Sequence, residues 1–311
     1  MSFAELGLSA PLLEAIAGLG YQTPTPVQQQ AIPAILAGRD LMAAAQTGTG
    51  KTAGFALPML QALAAEESKV GSNSIRALVL VPTRELAEQV MESFRQYGAH
   101  LTVTSYAVYG GVSLNPQMMR LRRGVDVLVA TPGRLIDLFT KNAVKFRELR
   151  TLVLDEADRM LDLGFADDLD ILFQALPKKR QTLLFSATFS DEIRSMAKAR
   201  LRDPLSIEVS PRNAAAKTVK QWVVPVDKKR KPELFLFMRK DRGWQQVLVF
   251  VKTKKGCDEL VARLQAKQIP ADTIHGDRPQ ASRLKALTAF KAGEIEVLVA
   301  TDVAARGIDI D

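Results

Sequence analysis

The sequence has little cysteine and histidine and no long apolar run. Its 311 residues include one cysteine, Cys257, and two histidines, which excludes an internal disulfide and a Cys/His metal cluster. The longest apolar runs, such as 247–251, are strand-sized and far below the ~18 residues that cross a bilayer. A secretory signal requires a basic segment followed by an apolar one, and the N-terminus has no such pair of segments. We therefore expect a cytoplasmic protein without a membrane segment.

Acidic residues are too few to balance the basic ones. The chain carries 42 lysine and arginine residues against 34 acidic residues, a net charge of +8, which favours a polyanionic partner. Most of the excess lies in 208–311, which holds 20 basic and 13 acidic residues. A solvated basic face accounts for the charge equally well, so charge alone does not identify the partner.

Short apolar runs alternate with amphipathic stretches from residue 39 onward, and this alternation is typical of repeated βαβ units. Because the runs are almost continuously apolar, they predict parallel strands covered on both faces. The fold class is therefore α/β, with mainly parallel sheets. The predicted strands are 41–45, 77–81, 125–130, 151–155 and 182–187, followed by 222–226, 247–251, 271–274 and 296–300.

The length and the alternation suggest two domains. We expect a first domain at 1–209, a basic linker at 210–217 and a second domain at 218–311. The second domain is expected to be unfinished, because few residues follow its last predicted strand. We therefore expect apolar surface to stay uncovered at Val297, Val299, Ile308 and Ile310.

The predicted helices have clear start and stop signals. Ser9 and Pro11 begin one helix that Gly20 ends. Thr25 and Pro26 begin a second helix, which Gly38 ends. Two further helices are expected after Thr83 and at Pro132.

The segment AAAQTGTGKTAGF (43–55) follows a predicted strand and opens a helix. Gly48 and Gly50 allow backbone N–H groups to surround a phosphate, Lys51 supplies a charge to the β- and γ-phosphates, and Thr52 a hydroxyl for Mg²⁺. Ala45 stands where the usual pattern has its first glycine. The alternative is a glycine-rich turn with a stray lysine, but the strand–loop–helix setting favours a nucleoside triphosphatase.

Three acidic residues follow the predicted strand 151–155, in the sequence Asp155-Glu156-Ala157-Asp158. Ligands of open α/β sheets gather at the carboxyl ends of strands, so this cluster should face the phosphate loop. Asp155 can hold Mg²⁺ through water, and Glu156 is placed to orient or deprotonate an attacking water. A solvated acidic turn is the alternative.

The segments DEAD (155–158) and AQTGTGKT (45–52) resemble those of the DEAD-box ATP-dependent RNA helicases. The resemblance runs from residue 3 to 311, and the opening with 32–55 is similar to the bacterial RhlE-type subgroup. It implies two RecA-like domains, ATP and Mg²⁺ as ligands, RNA as partner, and ATP hydrolysis coupled to unwinding. The other matching segments are GYQTPTPVQ (20–28), PTREL (82–86), Gly110-Gly111, TPGR (131–134), SAT (186–188), VFVKT (249–253), HGD (275–277) with Gln280 and Arg283, and ATDVAARGID (300–309).

The resemblance implies a set of ATP-binding residues. Within it, the amide of Gln28 can both donate to and accept from the adenine edge. Tyr21 is expected beside the base, whereas Phe3 serves either the base or the protein core. The full set is Phe3, Tyr21, Gln28, Ala45, Gln46, Thr47, Gly48, Thr49, Gly50, Lys51, Thr52 and Asp309, with Thr52 and Asp155 for Mg²⁺ and Lys51, Asp155 and Glu156 as catalytic residues.

The resemblance also implies contacts with the RNA sugar–phosphate backbone, which carry no sequence information. His275 has no paired carboxylate in its motif, so we expect an RNA-contact or structural role for it rather than base catalysis. The RNA-binding set is Pro82, Thr83, Arg84, Gly110, Gly111, Thr131, Pro132, Gly133, Arg134, His275, Gly276, Arg283 and Thr301.

A third group is implied to couple hydrolysis to strand separation: Asp158, Ser186, Thr188, Asp302 and Arg306. The family carries an arginine-rich motif beyond ATDVAARGID, which this sequence does not reach. We therefore expect a C-terminally truncated helicase. Two alternative functions stand beside it. One is a nucleotide- and RNA-binding fragment that lacks hydrolysis, and the other is a DNA-directed motor of the same fold.

Overall fold

A computed structural model describes residues 1–45, 48–66, 69–209 and 220–301. The chain divides into two units, Met1–Asn213 and Ala214–Ile310. The linker predicted at 210–217 lies outside the described residues, as do Gln46, Thr47 and 302–311.

The first unit contains a parallel sheet of seven strands in the order β3-β4-β2-β5-β6-β1-β7. Every strand pair in it is parallel, as the apolar runs predict. The strands are β1 (Leu41–Ala44), β2 (Ile75–Leu80), β3 (Ser105–Val108), β4 (Val125–Ala130), β5 (Thr151–Leu154), β6 (Gln181–Ser186) and β7 (Leu205–Glu208).

Helices cover both faces of this sheet. Each strand sends alternate side chains to the two faces; for example, Val79 of β2 packs into one hydrophobic core and Leu78 into the other. The described helices are α1 (Ala10–Gly18), α2 (Pro26–Leu36), α3 (Lys51–Ala64), α4 (Arg84–Tyr97), α5 (Leu114–Leu121), α6 (Pro132–Thr140), α7 (Ala157–Asp162), α8 (Ala166–Ala175) and α9 (Asp191–Arg200).

The four predicted helices of the first unit are confirmed, as α1, α2, α4 and α6. Helix α4 shows why such signals work: the side chain of Thr83 accepts a hydrogen bond from the N–H of Leu86, and Leu86, Val90 and Phe94 form its buried stripe. The short strands β3 and β7 escape prediction. Each has four residues, and β7 alternates buried with exposed side chains rather than forming an apolar run.

The described part of the second unit, residues 220–301, forms a parallel sheet of three strands in the order β8-β10-β9. Helices α11 and α12 cover its two faces, each with a core cluster of its own. The indole rings of Trp222 and Trp244 pack together, with centroids 6.3 Å apart. The described elements are α10 (Lys231–Arg242), β8 (Val247–Phe250), α11 (Lys254–Gln265), β9 (Ala271–Ile274), α12 (Gln280–Lys291) and β10 (Val297–Ala300).

Two predictions for the second unit are wrong. Residues 222–226 form no strand: Val223 is 94% exposed, and Pro225 has no N–H to offer a neighbouring strand. Val297 and Val299 are fully buried, because β10 lies in the centre of the sheet and packs against α11. Among the described residues of this unit, the large exposed apolar side chains are those of Trp222, Val223, Val224, Phe237 on α10 and Phe250 on β8. Ile308 and Ile310 lie outside the described residues.

In the part of the chain that the structure describes, no helix is both long enough and apolar enough to cross a membrane.

Candidate active site and nucleic-acid interface

The predicted site segments of the first unit share one edge of its sheet. The phosphate loop follows β1, the acidic cluster follows β5, and the segment 186–188 ends β6. Because the strand order is β5-β6-β1, the segment 186–188 lies between the other two. The segments at 82–84, 110–111 and 131–134 follow β2, β3 and β4 at the same edge.

The phosphate loop lies between β1 and α3 in the chain. The N–H of Ala45 donates to the carbonyl of Ser186 at 3.0 Å, so the first residue of the loop is still hydrogen-bonded to the end of β6. Gly48 and Gly50 have φ angles of 79° and 82°, a left-handed conformation that glycine adopts without strain. Helix α3 begins at Lys51, and the N–H groups of its first turn are suited to an anion.

Lys51 is a buried cation that fits a phosphate group. Its side chain belongs to a residue that is 7% exposed, and its Nζ atom has no hydrogen-bond partner among the described residues. A buried ammonium group without a hydrogen-bond acceptor is costly, so this position is suited to a phosphate oxygen. Thr52 follows it in the first turn of α3.

Asp155 is buried at the end of β5, and its Oδ1 atom accepts the N–H of Glu156 at 3.0 Å. Burial raises the pKa of its carboxyl, which the charge of Lys51 opposes. A buried carboxylate with a raised pKa binds a cation favourably, because a cation compensates the lost hydration. The donor set of Asp155, Thr52 and Lys51 therefore fits a nucleoside triphosphate with Mg²⁺.

Glu156 has an uncommon backbone conformation, with φ of 53° and ψ of 51°. A left-handed residue other than glycine costs about 1–3 kcal/mol and marks functional sites. Burial and the neighbouring Asp155 raise the pKa of the Glu156 carboxyl, and Arg159 lowers it. Nη1 of Arg159 lies 3.4 Å from Oε2 of Glu156, so the carboxylate is held at a fixed place beside the phosphate loop.

Asp158 joins the acidic cluster to the end of β6. Its Oδ2 atom accepts hydrogen bonds from the N–H groups of Ala187 and Thr188 and from the hydroxyl of Thr188, each at 3.2 Å. The hydroxyl oxygen of Ser186 lies 3.4 Å from the N–H of Thr188. The structure therefore brings together the three described members of the predicted coupling set.

Gln28 lies against the phosphate loop and is 4% exposed. Its Oε1 atom accepts the N–H of Thr25 at 2.9 Å, and its Nε2 atom donates to the carbonyl of Gly50 at 3.0 Å. A side chain at Gly50 would overlap Nε2 of Gln28. Sequence reasoning missed Thr25, whose hydroxyl donates to the carbonyl of Thr49, although its spacing to Gln28 is that of a capping box.

Tyr21 and Phe3 are neighbours with different environments. Their rings stack with centroids 6.4 Å apart, but Tyr21 is 41% exposed and Phe3 is buried in the core. The hydroxyl groups of Tyr21 and Tyr97 lie 3.0 Å apart, a contact that the sequence does not reveal. The accessible ring is therefore that of Tyr21, and Phe3 packs behind it.

Arg84 and Gly111 belong to different segments and lie in direct contact. A side chain at Gly111, whose φ is 78°, would overlap the guanidinium of Arg84. Thr83 caps α4, and Pro82 is buried before it. Gly111 therefore leaves the space that the guanidinium of Arg84 occupies.

Arg134 is directed inward, beside the buried Thr131 and Pro132. It is 9% exposed; Nη1 donates to Oε1 of Gln117 at 3.0 Å and Nη2 to the carbonyl of Val112 at 2.9 Å. In this arrangement Arg134 supports the loop that contains Gly110 and Gly111.

In the second unit the predicted RNA contacts follow β9 and β10. His275 is 3% exposed, and its Nε2 atom lies 3.0 Å from Oδ1 of Asp258 on α11. The carboxylate beside His275 lies outside its own motif, because α11 brings Asp258 to it from 17 residues away. Gly276 follows His275, Arg283 is buried on α12, and Thr301 follows β10. Gln46, Thr47, Asp302, Arg306 and Asp309 lie outside the described residues.

Two family models match this chain. Residues 25–196 match the model described as DEAD/DEAH box helicase, and residues 230–311 match the helicase conserved C-terminal domain. The chain is 42% identical over all 311 residues to the ATP-dependent RNA helicase DeaD of Mycobacterium tuberculosis. It is 41% identical over 310 residues to the DEAD-box ATP-dependent RNA helicase CshA of Streptococcus pneumoniae. The chain spans 54% and 58% of the lengths of these two relatives.

Solved structures show the same fold. Saccharomyces cerevisiae Dbp5 bound to RNA and ADP BeF3 matches with a TM-score of 0.86 and 31% identity, over 99% of this chain and 78% of that one. A DEAD box protein from Methanococcus jannaschii matches with a TM-score of 0.63 and 35% identity, over 100% of this chain and 83% of that one. These matches support the assignment of both sheets as RecA-like domains.

Proposed function

Because the chain belongs to the DEAD-box helicase family, we propose that it is an ATP-dependent RNA helicase. RNA-stimulated ATP hydrolysis is coupled in this proposal to local, sequence-independent unwinding of RNA duplexes. The observation that carries it is the shared edge of the first sheet, where the phosphate loop, the acidic cluster and the segments 82–84, 110–111 and 131–134 all lie. The relatives named ATP-dependent RNA helicase support the same activity.

We propose specific roles for the residues beside the phosphate loop. Lys51 binds the β- and γ-phosphates, and Glu156 orients the attacking water and accepts its proton. Asp155, partly through water, and Thr52 would hold Mg²⁺, which neutralises charge that develops on the phosphates. The buried, unpartnered Nζ atom of Lys51 supports this assignment.

Adenine recognition is assigned to Gln28 and Tyr21. The amide of Gln28 has a second N–H and a second lone pair beyond those used by Gly50 and Thr25, enough to contact one adenine edge. The ring of Tyr21 is exposed to pack on the base, and Phe3 supports it from the core. The phosphate-binding segment is proposed to run over the whole of 45–52, and Asp309 is assigned to ATP by family resemblance alone.

RNA is proposed to bind through its sugar–phosphate backbone. Arg84 offers a guanidinium, Thr83 and Thr131 offer hydroxyls, and Gly110 and Gly111 allow close approach. In the second unit, His275, Gly276, Arg283 and Thr301 are proposed to complete the contact. None of these residues is suited to reading bases, so low sequence specificity is expected, and the 2′-hydroxyl is the group that distinguishes RNA from DNA.

Asp158, Ser186 and Thr188 are proposed to couple hydrolysis to unwinding, together with Asp302 and Arg306. The hydrogen bonds from Ala187 and Thr188 to Asp158 support this role, because they link the acidic cluster directly to the end of β6. We also propose the domain bounds 1–209 and 218–311 with a linker at 210–217, membership of the RhlE-type subgroup, and a cytoplasmic location.

Single-turnover ATP hydrolysis tests the proposal. The chain is mixed with ATP and Mg²⁺, alone, with a single-stranded RNA, and with a DNA of the same sequence. RNA-dependent hydrolysis supports a helicase motor, and equal stimulation by DNA contradicts RNA selectivity. Binding of ATP and RNA without hydrolysis would instead support a fragment that lacks the catalytic step.

A further inference from the structure

Gln117 on α5 lies between two segments of the candidate RNA interface and hydrogen-bonds to both sides. Its Oε1 atom accepts from Nη1 of Arg134 at 3.0 Å, and its Nε2 atom donates to the carbonyl of Tyr109 at 3.2 Å. Arg134 belongs to the segment after β4, and Tyr109 directly precedes Gly110 in the segment after β3. Gln117 is 5% exposed, so its amide contacts protein rather than solvent.

The loop at 109–112 is fixed at three further points. The hydroxyl of Tyr109 donates to Oε1 of Glu88 on α4, and the carbonyl of Val112 accepts from Nη2 of Arg134. Gly111 packs against the guanidinium of Arg84 at the start of α4. The loop therefore joins the helix that carries Arg84 to the segment that carries Arg134.

We propose that Gln117 is a positioning residue for RNA binding, which holds the loop at 109–112 in register with Arg134. The inference rests on the proposed function, and Gln117 itself does not contact RNA in it. A side-chain amide suits the position, because its oxygen accepts from the Arg134 guanidinium while its nitrogen donates to the Tyr109 carbonyl. Without it, a buried guanidinium N–H and a carbonyl each lose a partner, which is costly in a buried place.

The alternative is that Gln117 merely fills space in the core. Two substitutions separate the roles. Gln117→Met keeps the length and volume of the side chain and removes both hydrogen bonds, so a space-filling role tolerates it. Gln117→Glu keeps an acceptor for Arg134 but removes the donor to Tyr109.

The experiment measures RNA affinity by fluorescence anisotropy with a labelled single-stranded RNA, in the 311-residue chain with saturating ATP analogue and Mg²⁺. We expect Gln117→Met to weaken RNA binding about tenfold, the factor that corresponds to ~1.4 kcal/mol. Gln117→Glu should weaken it as well, and neither should change the affinity for ATP. Gln174→Met, at an exposed glutamine of α8, is the matched control and should bind RNA as the parent does.

Hydrogen exchange gives a second readout that needs no RNA. Peptides covering 109–112 should exchange faster in Gln117→Met than in the parent, while peptides from α3 should not change. If Gln117→Met binds RNA like the parent, or if exchange at 109–112 is unchanged, the inference is overturned. If the parent itself binds no RNA, the proposed function fails, and the exchange result alone decides whether Gln117 holds the loop.

Discussion

Gln28 contacts the phosphate loop and is proposed to read adenine with the same amide. Gln28→Ala removes both contacts, so ATP binding should weaken by about 1–3 kcal/mol, the scale of a bidentate adenine contact. Isothermal titration with ATP and GTP measures it, and Gln30→Ala, at an exposed neighbour on α2, is the control. If the parent binds ATP and GTP equally well, Gln28 does not select adenine.

Lys51 and Glu156 lie beside one another but should fail differently when replaced. Lys51→Ala should weaken ATP binding and abolish hydrolysis, because the phosphates lose a buried cation. Equilibrium nucleotide binding and single-turnover hydrolysis, measured on the same preparation, separate the two effects. Unchanged ATP affinity in Lys51→Ala would contradict its assignment to the phosphates.

Glu156→Gln should keep ATP bound while hydrolysis falls about 10²–10⁴-fold, since an amide cannot accept the proton of water. Glu14→Gln, at an exposed glutamate of α1, is the matched control in the same hydrolysis assay. Hydrolysis by Glu156→Gln at the parent rate would show that another group activates the water.

For individual residues, the sequence predicts well those site segments whose members are neighbours in the chain. The phosphate loop and the acidic cluster each fit within a few residues, because strand, loop and helix follow one another along the chain. Asp258, Tyr97 and Gln117 carry no such signal. Each meets its partner only because separate elements pack together in the fold, and a single sequence contains no measure of that proximity.

Strands β2 and β4 are joined by a buried ion pair. Nε of Arg76 donates to Oδ1 of Asp126 at 2.9 Å, and Thr104 donates its N–H and hydroxyl to Oδ2. Asp126→Asn leaves the Arg76 charge without its main partner, so the free energy of unfolding should fall by about 3–5 kcal/mol. Urea denaturation measures it. Asp170→Asn, which breaks an exposed pair with Arg200, should cost at most about 1 kcal/mol.

The ion pair of Arg76 and Asp126 also makes the free energy of unfolding depend on pH. Burial opposes ionisation of Asp126, but hydrogen bonds from Thr104 and Arg76 outweigh it and lower its pKa below the usual 3.8. A lowered pKa means that the stabilisation is complete above the unfolded value and is lost as pH falls through the folded value. The difference in stability between parent and Asp126→Asn should stay constant from about pH 7 to 5 and shrink below about pH 4. A difference that already shrinks near pH 6 would contradict this cause.

Strands were predictable where the sheet buries both faces. The runs at 125–130 and 151–155 are apolar because helices cover them on either side, whereas 222–226 is apolar in sequence and exposed in the structure. Apolar residues with β propensity favour a strand, but a strand also needs a neighbouring backbone to pair with. Whether such a neighbour exists depends on the whole sheet and cannot be predicted from the apolar run alone.

The two units differ in how much core each contains. Among the residues that the structure describes, the first unit has two large hydrophobic clusters around seven strands, and the second has two small ones around three strands. Helix α10 has no buried residue. We expect the second unit to unfold first on warming, and α10 to exchange its amides faster than α3, since local stability follows buried contact. Hydrogen-exchange mass spectrometry measures both, and equal protection of α10 and α3 would contradict the expectation.

The packed pair of Trp222 and Trp244 has a practical consequence for spectroscopic measurements of unfolding. These are its two tryptophans, and its four tyrosines, Tyr21, Tyr97, Tyr106 and Tyr109, all belong to the first unit. Emission excited at wavelengths that only indole absorbs therefore reports on the second unit alone. The tyrosine contribution to the absorbance, once it is separated from that of indole by its second derivative, reports on the first. The chain thus carries a separate natural chromophore in each half, and the order in which the halves melt can be observed without attaching a label.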